Sequence, residues 1–327
     1  MNTNPLAIPF VASSRWISLR RLIASARTLA FSVSILALVT IPGIVQGQIY
    51  VTERGANRIG LYNLDGTAIN AAFVTGLNAP DGLALFNGYL YVTNANSGTV
   101  GQYNASTGAT VNATLISGLS NPDAIAVFGG NLYVSNYNTG VIGLYDASTG
   151  AAINSSFITG AGNPNDLVIS ASGTLYVPNA ATDRVAIYSA TTGALINASF
   201  TAQVSIISGV TLFGNTLYVS SWGSDNIQTF DATTGATINT SFITGLSDPA
   251  EMRIFNGILY VANEAGGTVG QYDALTGAPI DTALLSGLNV PYGLEVVPEP
   301  TTTASLLVGM GLSAGLSYWR RRRRNSL

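Results

Sequence analysis

The tripeptide (Ile/Leu)-Tyr-Val returns six times, with its tyrosine at Tyr50, Tyr91, Tyr133, Tyr176, Tyr218 and Tyr260, at intervals of 41, 42, 43, 42 and 42 residues. A fixed period near forty residues marks a chain built from stacked copies of one small unit. Twelve residues after each tyrosine stands a second aromatic: Tyr62, Tyr103, Tyr145, Tyr188, Phe230 and Tyr272. It precedes a turn such as Asp231 to Gly235 and then a polar, β-forming run such as Thr237 to Ile243.

Each unit therefore predicts four short strands. In the second they are A (Gly82 to Phe86), B (Leu90 to Thr93), C (Val100 to Asn104) and D (Thr110 to Ile116). Asn87-Gly88, Gly129-Gly130, Gly214-Asn215 and Asn256-Gly257 suit tight A-to-B hairpins, which need positive φ. Four antiparallel strands repeated six times predict an all-β, six-bladed β-propeller over residues 48–297. The first unit begins at strand B, with Ile49-Tyr50-Val51, and has no strand A before it. Tyr292 to Val297 supplies the missing strand from the other end and closes the ring.

Residue types narrow the chemistry. The chain has no Cys and no His, and all thirteen basic residues are Arg. That removes the His-dependent triad, the thiolate nucleophile, the disulfide and the usual zinc site. Carboxylates, Tyr and an oxygen-ligated cation remain. Between Gln48 and Val297 lie four arginines against fifteen of the sixteen acids, a net charge of −11. Nucleic acid is excluded as a partner, because phosphate binding needs clustered Lys or Arg.

The other arginines sit at the ends. Arg20, Arg21 and Arg27 precede the apolar run Leu29 to Ile44, and Val45-Gln46-Gly47 fits a signal-peptidase site. Residues 1–47 thus predict an export signal, or an uncleaved membrane anchor. At the far end, residues 298–327 hold Pro298-Glu299-Pro300, an apolar stretch over 301–319, and Arg320, Arg321, Arg322, Arg323 and Arg324. Nineteen helical residues rise about 28 Å, enough to cross a bilayer, and the arginines would stay on the cytoplasmic side.

This tail resembles the PEP-CTERM sorting signal. The resemblance implies a Gram-negative source, an inner-membrane-anchored precursor, removal of the tail by an exosortase, and release to the cell surface or an exopolysaccharide-linked matrix. Without it, the tail reads as an ordinary membrane anchor. Tyr91-Val92-Thr93-Asn94 resembles the YVTN propeller repeat. Pro80-Asp81-Gly82-Leu83-Ala84 followed by Leu90-Tyr91-Val92 is similar to NHL and gluconolactonase-like units.

Topology gathers the candidates on one face. The starts of A and C and the ends of B and D share a face with the longer loops, where binding is expected. At the start of strand A stand Asp81, Asp123, Asn165, Ser208, Ala250 and Tyr292, with Asp166 and Glu251 one residue on. At the end of strand B stand Glu53, Asn94, Asn136, Asn179, Ser221 and Asn263, followed in two blades by the aromatics Tyr137 and Trp222. Asp81, Asp123 and Asn165 offer hard oxygen ligands for Ca²⁺ or Mg²⁺. The gluconolactonase resemblance implies such a metal, with Asp166 or Glu251 as general base. Both rings also read as turn and strand-end caps, repeated because the blade repeats. Asn94, Asn136, Tyr137, Asn179, Trp222 and Asn263 are expected to face a ligand, with the aromatics stacking on sugar rings or packing under a loop. Two readings follow. One is a non-enzymatic binding or structural protein without a cofactor; the other is a metal-dependent hydrolase of lactone-like substrates.

Overall fold

The computed structural model describes residues 47–298. These residues form six four-stranded antiparallel sheets, each running A, B, C, D from the axis outward. Blades 2, 3, 5 and 6 are regular; blade 2, for instance, comprises Pro80–Phe86, Tyr89–Asn94, Thr99–Asn104 and Thr110–Ile116. The export signal, Glu299, Pro300, the 301–319 span and the terminal arginines lie outside the described residues. No helix among the described residues is long and apolar enough to cross a membrane.

Ring closure follows the expected route. Strand A of blade 1 is Pro291–Pro298, and it pairs with Gly47–Glu53 through Ile49↔Val296, Val51↔Leu294 and Gly47↔Pro298. Pro298, the first residue of the Pro-Glu-Pro triplet, thus belongs to the closing strand.

Turn chemistry explains the hairpins. Asn87 and Gly88 have φ of 49° and 79°, and Asn256 and Gly257 have 51° and 77°, as a type I′ turn demands. In blade 5 only Gly214 is positive, the pattern of a II′ turn.

Hydrophobic cores lie between blades, one per seam. The repeated tyrosine spans each seam. Tyr50, Tyr91, Tyr133 and Tyr176 donate their hydroxyls to the carbonyls of Ala105, Ala147, Ala190 and Ala232 in the next blade, at 2.7–2.8 Å. At the closing seam Gln271 Nε2 takes the equivalent carbonyl, that of Leu64, at 3.3 Å. Such bonds satisfy polar groups that burial would otherwise leave costly.

Blade 4 departs from the pattern. Its inner strand shrinks to Val168–Ile169, with a lone bridge from Pro164 to Asn179, and its outer strand to Leu195–Asn197.

Candidate functional site

The inner strands carry three tiers of side chains down the axis. The first tier, at the wide face, is Asp81, Asp123, Asn165, Ser208, Ala250 and Tyr292, all buried. One residue deeper come Gly82, Ala124, Asp166, Gly209, Glu251 and Gly293. Two further on, Ala84, Ala126, Val168, Thr211, Arg253 and Glu295 line an axial cavity of about 230 Å³.

The second tier is where blades are tied together. A Cβ on Gly82, Gly209 or Gly293 would press into the carbonyl of Asp123, Ala250 or Asp81 in the next blade, so glycine is required there. A strand-B hydroxyl spans that close approach. Thr52 Oγ1 accepts the Gly293 N–H at 2.6 Å and donates to the Asp81 carbonyl at 2.9 Å. Ser220 Oγ accepts the Gly209 N–H at 2.7 Å and donates to the Ala250 carbonyl at 2.9 Å. Blades 4 and 6 have Pro178 and Ala262 in place of the hydroxyl. Those are the blades that place a carboxyl in the second tier. Asp166 Oδ2 accepts the Val210 N–H of blade 5 at 2.8 Å, and Glu251 Oε2 accepts the Leu294 N–H of blade 1 at 2.9 Å. The two expected general bases thus act as latches between blades.

The ring at the ends of strand B is likewise engaged. Asn94, Asn136 and Asn263 accept the backbone N–H groups of Asn78, Ser120 and Ser247 through Oδ1, at 3.0, 2.9 and 3.5 Å. Asn179 caps Ala181 N at 3.0 Å, and Ser221 Oγ donates to the Ser205 carbonyl. Glu53 accepts Arg58 at 2.6 and 2.9 Å and the Asn289 N–H at 3.0 Å. Asn94, Asn136, Asn179 and Asn263, expected to face a ligand, are buried; Asn94, Asn136 and Asn263 hold the loops that lead into strand A, and Asn179 holds the loop that follows its own strand B. A loop entering a propeller strand needs its first N–H groups satisfied, and a short amide side chain does that.

The first tier differs. Asp81, at 1% exposure, has no hydrogen-bond partner for either oxygen, and neither Asp123 Oδ1 nor Asn165 Oδ1 has one. Asn165 Nδ2 donates to the Ile207 carbonyl at 3.2 Å, which fixes the direction of its amide. Arg54 Nε stands 3.1 Å from Asp81 Oδ1 without hydrogen-bond alignment, a charge contact, and its guanidinium lies 5.5 Å from the centre of the Tyr292 ring. Burial pushes Asp81 up to about 7, against the pull of Arg54. Burial, then the neighbouring Asp81, raises Asp123 well above the usual carboxylate range, with Arg54 and the Tyr292 hydroxyl opposing. Burial also lifts Glu251 to about 8 despite Arg253. Arg253 lies 3.3 Å from Glu251 and 3.5 Å from Glu295.

Of the two aromatics, Trp222 and Tyr137 are both half-buried. Trp222 meets Tyr292 edge to face at 6.4 Å, and its Nε1 has no partner. It also lines a pocket of about 340 Å³ with Ile206, Asp248, Glu264, Ala265 and Val290. Arg54 and Glu264 occupy the loop position that Tyr137 and Trp222 hold in their own blades, and no sequence signal marks Asp248; they stand in loops, and only the curvature of the ring brings them to this mouth.

The donor set fits a hard cation in part. Four free oxygens from three adjacent blades are the right atoms, yet among the described residues no three Asp, Glu, His or Cys gather in ligating geometry, and Arg54 already places positive charge on Asp81.

No protein-family model matches the chain, and no curated protein sequence does. Solved structures are similar to it in fold. The computationally designed Ika8 protein shares 14% identity over 76% of this chain and 74% of its own, with a TM-score of 0.50. A nidogen/laminin complex shares 15% over 77% of this chain and 98% of its own, TM-score 0.62. A gluconolactonase of Xanthomonas campestris, important in glucose secondary metabolic pathways, shares 18% over 78% of this chain and 86% of its own, TM-score 0.55. The chain is thus a six-bladed all-β propeller with a gluconolactonase among its structural neighbours.

Proposed function

We propose that this chain is an exported propeller whose wide-face mouth binds a saccharide without chemically altering it. The Pro-Glu-Pro, apolar and Arg-rich tail supports sorting to the cell surface or matrix by an exosortase. One contrast carries the binding reading: Asp166 and Glu251 each spend an oxygen on a neighbouring blade, whereas Asp81, Asp123 and Asn165 present acceptors that no hydrogen bond from a described residue fills, Arg54 standing beside Asp81 only as a charge contact. Buried acceptors without partners cost free energy that a hydroxyl-rich ligand would recover. Half-buried Trp222, at the rim of the adjoining pocket, offers a flat apolar wall.

Calorimetric titration of the full chain with soluble exopolysaccharide fragments tests this. Saturable heat, together with an emission change that disappears in Trp222→Phe, is the expected result. No heat with any saccharide would sink it.

A second reading rests on the same free oxygens and on the gluconolactonase neighbour. Asp81, Asp123 and Asn165 would hold Ca²⁺ or Mg²⁺, which when bound would polarise a lactone carbonyl. Lactone hydrolysis that requires the metal and is lost in Asp81→Asn with Asp123→Asn would favour it.

A further inference from the structure

We propose that the mouth selects a protonated amine carried on a sugar ring, the chemistry of a 2-amino-hexose or a short chain of them. This rests on the saccharide reading above and names the class.

Glu251 Oε1 is without a partner one tier deeper, and the free groups of the first tier are acceptors: both oxygens of Asp81, Oδ1 of Asp123 and Oδ1 of Asn165. These three side chains are each more than nine-tenths buried. A hydroxyl that donates to such a cluster also brings lone pairs that need donors of their own; Asn165 Nδ2 and Arg54 are already engaged, which leaves the indole Nε1–H of Trp222, in the adjoining pocket, to meet them. An ammonium brings three N–H groups and no lone pair.

The adjoining pocket has the same bias. Asp248 and Glu264 line it, and neither side chain forms a hydrogen bond or ion pair with a described residue. The two are close enough that the charge of Asp248 raises Glu264, whose burial does so first. Trp222 forms one wall, and a cation near an indole is attracted to its face. Ile206 and Val290 line other parts, apolar surface for the C–H face of a sugar ring. Three acids, Asp81, Asp123 and Glu264, thus stand around one guanidinium, that of Arg54, which is already set against Asp81 and Tyr292, and a fourth, Asp248, stands beside Glu264.

The test titrates the full chain with glucosamine oligomers, in parallel with N-acetylglucosamine oligomers of equal length, glucose oligomers, spermidine and CaCl₂. Glucosamine oligomers are expected to bind about tenfold more tightly than the acetylated and neutral ones. The exposed-side pair Asp248→Asn with Glu264→Gln should remove that preference while leaving the melting temperature unchanged. Equal binding of acetylated, neutral and amino sugars would overturn the amine and leave the saccharide reading standing. Spermidine binding as tightly as glucosamine would overturn recognition of the ring. Calcium binding with no response to any sugar would overturn both readings.

Discussion

Two rings of polar side chains repeat with the same period on the same face of the disc, on adjacent paired strands, and they behave oppositely. At the ends of strand B, Asn94, Asn136, Asn179, Ser221, Asn263 and Glu53 each hold a partner in the chain. At the starts of strand A, Asp81, Asp123 and Asn165 together leave four oxygens without one. Recurrence therefore does not separate scaffold from site in a repeat protein. Partner counting does, because a scaffold residue is retained for the bond it makes and a site residue for the bond it leaves open.

The largest test of that contrast removes Glu53, which is fully buried and binds both Arg58 and the loop N–H of Asn289. Glu53→Ala should cost about 2 kcal/mol in urea unfolding, since it leaves the Asn289 N–H without its acceptor and opens a gap where a fully buried side chain stood, while Arg58, a third exposed, turns to water. A loss under about 1 kcal/mol would mean the strand-B ring is not scaffold.

Asn136→Ala is the milder version. It leaves the Ser120 N–H without its 2.9 Å acceptor and should cost about 1 kcal/mol, with ligand binding unchanged. Weakened binding at unchanged stability would transfer Asn136 to the site and erase the distinction between the rings.

Much of this was legible in the sequence, for physical reasons. The period, the Asn-Gly turns and the missing first strand A are local or arithmetic features, and they fixed the blade number and the closure by Tyr292 to Val297. The roles of Asp166 and Glu251 were not legible. Each replaces a hydroxyl absent from strand B of its own blade, at Pro178 and Ala262, and bonds to the blade after it. Such compensation joins residues that are eleven or twelve and forty-odd positions apart. Shortened strands in blade 4 were equally hidden, because Thr174 to Asn179 keeps the repeat intact while its neighbours do not.

An effect no larger than that of Asn136→Ala is the one whose sign differs most between the rings. Burial raises the Asp81 carboxyl from 3.8 to about 7 in the folded protein. Between those values the folded chain holds a proton that the unfolded chain releases, so stability is full below the lower one and falls as pH rises toward the upper. Glu251, raised from 4.5 to about 8, acts in the same direction over its own window. The wild-type melting temperature should therefore drop from about pH 4 to about pH 8. Asp81→Asn keeps the shape and cannot ionise. It should gain about 1 kcal/mol near pH 8, gain nothing near pH 4, and flatten the pH profile only in part, because Glu251 still titrates. A strand-B substitution such as Asn136→Ala has no such dependence and should lose the same amount at both ends. If Asp81→Asn instead destabilises at every pH, the Arg54 charge contact outweighs the burial of the carboxyl, and the open ring at the axis closes into scaffold like its neighbour.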